Sequence, residues 1–141
     1  MASSGAAVSI ADTILIEMKR LAREAARHAY APYSGFAVGA AALGASGRIH
    51  TGANVENASY GLSMCAERSA IFRALSDGER RIDAVCLYTP TPSASTPCGA
   101  CRQVIQEFGA DALIVCCTND DHAERRYALG ELLPEPFLLR K

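Results

Sequence analysis

The sequence predicts an α/β protein, a three-layer α/β/α arrangement around a mixed central sheet of about five strands. Three observations carry that reading. From residue 65 onward, helical and strand patterns alternate, which layers helices on the faces of a sheet. Ahead of them, two short apolar runs flank the turn Gly44-Ala45-Ser46-Gly47, giving a hairpin and hence a mixed sheet. The 141 residues suffice for one domain, over 1–141, and a chain of this length buries about two-thirds of its unfolded surface.

Residues 1–8 are small and polar and read as a frayed, disordered tail. Ser9 and Asp12 resemble a capping pair for a helix in which Ile10, Ile14, Met18, Leu21, Ala25 and Ala29 recur every three or four positions. Lys19, Arg20, Arg23, Glu24 and Arg27 fall on its solvated side, and His28 sits in the last turn, where positive charge is favoured. Pro32 ends that helix, because proline disfavours the α conformation of the residue before it. Residues 36–43 form a buried strand, and the small Gly39, Ala40, Ala41 and Ala42 let another element pack close. Residues 48–55 are its hairpin partner, with His50 as an exposed strand residue.

The stretch 54–61 is polar and has two readings: a solvated connection, or a binding loop in which Asn54 and Glu56 hold a sugar. Residues 65–75 are the next helix, with Ala66, Ala70, Ile71 and Ala74 toward the core and Asp77-Gly78 at its end. A strand at 82–89, a proline-rich loop at 90–97 and a helix at 98–108 follow. A strand at 112–118, a charged turn at 119–126, a short strand near Tyr127 and a helical turn at 129–133 complete the order.

Composition excludes several function classes. Half of the residues are hydrophobic and 21% are charged, a globular balance. A net charge of −1 and only two lysines argue against a nucleic-acid or membrane surface built on bulk charge. No apolar run reaches the roughly 18 residues of a membrane-spanning helix. The first residues lack the basic start and apolar stretch of a secretory signal. The six cysteines therefore read as reduced thiols and metal ligands, and the expected compartment is the cytoplasm. Cys86, Cys116 and Cys117 lie in predicted strands and read as core thiols.

The remaining three cysteines carry chemistry. Cys65-Ala66-Glu67 is followed some thirty residues later by Pro97-Cys98-Gly99-Ala100-Cys101. Catalytic zinc keeps three protein ligands and leaves its fourth position to water. Cys98 and Cys101, three apart at a helix start, can grip one ion, and Cys65 at the start of its own helix supplies the third thiolate. Helix N-termini lower thiol pKa values and favour thiolates. Three thiolates leave Zn2+ one negative charge in excess, and Arg68 is the candidate to offset it. Glu67 has no place among the ligands and suits a proton shuttle beside the zinc water, so the predicted chemistry is hydrolytic attack on an amidine-like carbon with loss of ammonia.

Taken with Ala31-Pro32-Tyr33-Ser34-Gly35-Phe36, Val38-Gly39-Ala40-Ala41, Asn54-Val55-Glu56-Asn57-Ala58, Cys65-Ala66-Glu67-Arg68, Pro97-Cys98-Gly99-Ala100-Cys101-Arg102-Gln103 and Glu131-Leu132-Leu133-Pro134, the chain resembles the small homotetrameric cytidine deaminases from about residue 30 to 137. The resemblance implies one zinc per chain on Cys65, Cys98 and Cys101, with Glu67 as shuttle. It implies deamination of cytidine and deoxycytidine in pyrimidine salvage, and substrate contacts from Phe36, Asn54, Glu56 and Ala66. It also implies a homotetramer with active sites at subunit contacts, Tyr60 and Phe137 reaching a neighbour's nucleoside and Tyr33 in the same cluster. The extra proline of Glu135-Pro136 departs from the pattern next to Phe137. Two rival readings share the zinc core: a deaminase of another base or of a polynucleotide, and a non-catalytic zinc-stabilised module. The Asn54/Glu56 loop and the lack of a basic stripe speak against the first. Glu67 speaks against the second.

Overall fold

Residues 7–139 are described by a computed structural model. In chain order they form α1 (Asp12–Ala26), β1 (Gly39–Gly44), β2 (Ile49–Ala53), α2 (Ala66–Ser76), β3 (Ile82–Tyr88), α3 (Gly99–Phe108), β4 (Leu113–Cys117), β5 (Arg125–Ala128) and α4 (Leu129–Leu132). The sheet order is β2-β1-β3-β4-β5. Strands β3 and β4 are parallel, and the other three pairings are antiparallel, so the mixed five-stranded sheet is as expected.

Alternation along the strands divides the core into two layers. Ala41, Leu43, Ala84, Cys86, Val115 and Cys117 pack with Leu15, Met18 and Ala22 of α1. On the other face, Ala40, Ala42, Val85, Ile114 and Cys116 pack with Ala70, Ile71 and Ala74 of α2 and Ile105 of α3. Cys86, Cys116 and Cys117 are buried in these layers, as read from the sequence.

Small residues set the spacing of the layers. A Cβ on Gly39 would lie 1.9 Å from the Ala22 carbonyl oxygen, and one on Gly52 would lie 2.4 Å from the Ala70 nitrogen. Both helices therefore rest backbone against backbone on the β1–β2 hairpin.

That close approach corrects the predicted face of α1. Ile14 is 37% exposed, while Leu15, Met18, Ala22, Ala25 and Ala26 are buried. The alanine stripe wins because only small side chains fit where the helix meets Gly39. The helix also begins without the predicted Ser9 cap: Ala11 occupies that position and gives no side-chain bond. His28 lies beyond the C-cap Arg27 rather than within the last turn.

Three further expectations change. Of the predicted tail, residues 1–6 lie outside the described residues, but the Val8 N–H donates to the Asp111 carbonyl at 2.9 Å and ties that part to the body. β1 begins at Gly39 instead of residue 36, because the Asn54 side chain takes the Phe36 carbonyl and the Val38 N–H, while the Val38 carbonyl accepts from the Asn54 backbone N–H. His50 is 5% exposed, not a surface residue. Its Nδ1 lies 3.2 Å from Asp77 and its Nε2 lies 2.8 Å from Glu79. Those partners follow it by 27 and 29 residues and reach it only through the turn that ends α2.

Candidate metal centre and pocket

Cys65 and Cys98 are the N-cap residues of α2 and α3, both with extended backbone, and neither side chain makes a capping bond. Both thiols are thereby free to face an ion at converging helix starts. Cys101 lies in the first turn of α3 and is fully buried. The three sulfurs lie within 4.8 Å of one another, with Cys65 and Cys98 3.9 Å apart. Thiolates on tetrahedral zinc at about 2.3 Å stand about 3.8 Å from each other, so the set fits one such ion. Among the described residues no other group of three such ligands lies within this range.

The electrostatics fit as well. Cys65 is brought down to about 5, chiefly by a hydrogen bond from Cys101 and further by Arg68, against the opposing effect of burial. The Arg68 Nη2 donates to the Cys65 sulfur at 3.3 Å. Cys101 is pushed up because it holds the shared proton toward Cys65 and is itself buried. A preformed thiolate with a guanidinium against it is the charge pattern a divalent ion completes.

Glu67, in the first turn of α2, is only 4% exposed. Burial raises its carboxyl above the usual range. It lines, with Cys65 and Cys98, a cavity of about 310 Å³ whose walls include Phe36, Val38 and Leu87 and whose polar groups include Asn54, Glu56 and Thr96. That size suits a small-molecule site.

Residues 13–117 match the family model for the cytidine and deoxycytidylate deaminase zinc-binding region. The chain belongs to this family. It is 44% identical over 123 residues to the cytidine deaminase of Sporosarcina psychrophila, covering 87% of this chain and 88% of that one. It is 47% identical over 116 residues to the cytidine deaminase of Mycobacterium tuberculosis, covering 82% and 84%. Among solved structures, the cytidine deaminase of Burkholderia pseudomallei superposes with a TM-score of 0.82 at 42% identity, covering 86% of this chain and 98% of that one.

Around this deaminase core the other sequence-predicted residues fall into two groups. Phe36, Asn54, Glu56 and Ala66 line the cavity. Asn54 is already committed to the backbone: its Nδ2 donates to the Phe36 carbonyl at 2.8 Å, and its Oδ1 accepts from the Val38 N–H at 2.8 Å. Glu56 accepts from the N–H groups of Tyr33 and Ser34 and from the Ser34 hydroxyl. That hydroxyl is the main cause holding the Glu56 carboxyl below its ordinary value. Tyr60 and Phe137 stay outside the cavity, 79% and 71% exposed, with Tyr60 edge-on to Tyr33.

Sequence reasoning overlooked Arg102 and Gln103. Arg102 makes two hydrogen bonds to the loop before Cys98 and a third to the Leu132 carbonyl, and Gln103 donates to the Phe137 carbonyl. Their signal was position alone, directly after Cys101 in the motif.

Proposed function

We propose that this chain hydrolyses the exocyclic amine of cytidine and deoxycytidine, yielding uridine or deoxyuridine and ammonia, a pyrimidine-salvage reaction, with residues 1–141 as one domain. The observation that carries the reading is a buried glutamate, Glu67, sharing one cavity with Cys65 and Cys98 of the three-thiol cluster. Cys65, Cys98 and Cys101 would hold one zinc ion per chain. When bound, zinc supplies the Lewis acidity that makes water nucleophilic near neutral pH. Glu67 carries one proton of the attacking water to the ring nitrogen and then moves the second, from the same oxygen once it is bonded to carbon, to the departing amine. Its burial suits that task, because a carboxyl raised above its ordinary range is a better proton acceptor than an exposed glutamate. Arg68 offsets the excess negative charge of three thiolates through the sulfur it touches.

Asn54 and Glu56 would contact the ribose with the lone pairs and N–H left over from their backbone bonds, Phe36 would pack on the nucleoside, and the Ala66 backbone would border the base. The exposed rings of Tyr60 and Phe137 support a homotetramer in which each reaches a neighbour's site. Among the described residues no helix is long and apolar enough to cross a membrane, and six free cysteines support a reducing cytoplasmic setting.

The test is an absorbance assay with cytidine, run beside a zinc count. We expect conversion to uridine with one zinc per chain, both lost in Cys98→Ala and Cys101→Ala. Zinc-loaded protein that leaves cytidine untouched would refute the activity, and full turnover after exhaustive chelation would refute the metal's role.

A further inference from the structure

We propose that Arg102 is a positioning residue for the reaction. Its guanidinium ties the cavity wall that leads into Cys98 to the C-terminal segment that carries Phe137, holding the two in one register. The proposal rests on the deaminase reading above.

The geometry uses all three guanidinium nitrogens. Nε donates to the Pro97 carbonyl at 2.7 Å, Nη2 to the Thr96 hydroxyl at 2.9 Å and Nη1 to the Leu132 carbonyl at 2.8 Å. Thr96 lines the cavity, and Pro97 immediately precedes Cys98. Leu132 ends α4. One position along α3, the Gln103 Nε2 donates to the Phe137 carbonyl at 3.0 Å. Two consecutive residues therefore grip a loop on one side and residues 132–137 on the other.

Both gripped segments need such a partner. Residues 89–98 lie outside the helices and strands, and the loop's prolines donate no backbone hydrogen bonds. The Leu132 carbonyl ends a helix, where backbone acceptors lack intrahelical partners. A guanidinium presents donors in a fixed fork, so each bond constrains the direction of the other two. A lysine ammonium at the same place would keep the charge and lose the fork.

Arg102 is not among the residues lining the cavity, and its hydrogen bonds go to Thr96, Pro97 and Leu132 rather than to the thiols. Its influence on turnover must pass through the two segments. A residue that only stabilises the fold would lower the melting temperature and leave the effect of a change at Phe137 as it was. A residue that positions both segments couples them, so removing either leaves the other with less to lose.

The experiment is a double-mutant cycle on the zinc-loaded enzyme, with Arg102→Lys, Phe137→Ala and the pair, reading kcat and KM for cytidine, zinc content and far-UV circular dichroism. Wild-type protein inactive on cytidine would sink the functional reading before this one is tested. With an active wild type, we expect Arg102→Lys to stay folded with one zinc per chain and to lose about 10–100-fold in kcat/KM, the range for a residue supporting a metal site. The double variant should fall no further than the worse single one. Wild-type kinetics in Arg102→Lys, or losses that multiply in full, would overturn the proposal. Should Arg102→Lys not fold, a cycle of Thr96→Val with Phe137→Ala reads the same coupling, and full multiplication there would overturn it equally.

Discussion

Glu67 is the residue on which the proposed chemistry turns, and its isosteric amide is the sharpest probe. Glu67→Gln should keep zinc and bind nucleoside but lose about 10²–10⁴ in kcat, the share of a positioned proton carrier. Rapid-quench turnover with a zinc count checks this, and a variant keeping most of its kcat would remove Glu67 from the mechanism. Arg68→Gln should keep the fold and lower kcat more than it raises KM, because the guanidinium touches a sulfur and is absent from the cavity lining. Zinc release to a coloured chelator should also quicken. The thiol cluster was legible because residue type and spacing alone define it. Asn54 was only half legible. Its polarity signalled a binding loop, yet both ends of its amide serve the backbone of residues 36 and 38, a partnership across the hairpin that no local pattern announces. Asn54→Asp therefore separates two roles: it keeps the acceptor for Val38 and loses the donor to Phe36. Kinetics on cytidine against free cytosine would show whether the residue also reads ribose.

Where β1, β2 and the end of α2 meet, a second polar cluster holds the hairpin to the helix. Glu79 accepts from the Ser46 hydroxyl and from His50, and a Cβ on Gly44 would lie 2.0 Å from its carboxyl carbon. The Ser46 hydroxyl, then His50, holds Glu79 below its ordinary 4.5. A carboxyl lowered by folding contributes stability that is present above its unfolded value and is lost as pH falls through the folded one. Glu79→Gln should thus cost about 1–3 kcal/mol at neutral pH. The difference from wild type should shrink steadily below pH 4.5, as denaturant midpoints across pH would record. A constant difference would contradict the linkage. Helices and strands were legible to within a few residues because their periods are local. The face of α1 was not, since isoleucine and alanine stripes share Met18 and Ala25, and only contact with Gly39 decides between them.

Taken as an assembly, the chain exposes Tyr33, Tyr60, Leu62 and Phe137, a set of apolar side chains a lone subunit would leave in water. Sedimentation should find a tetramer, and dilution below its dissociation constant should reduce specific activity along with mass. An active monomer would contradict the shared site. The expectation of a tetramer comes only from family likeness, because no single-chain pattern names the partner of an exposed ring. The contact between Gly52 and the Ala70 nitrogen has its own outcome for anyone who tries to vary this protein. Ordinary packing forgives a new methyl group by rotating a side chain, but two touching main chains have nothing to rotate. A library at position 52 should return glycine almost alone, and any survivor should carry its damage three residues along the helix, at Glu67. The far side of the hairpin would then act as a tuning screw for an active site it never touches.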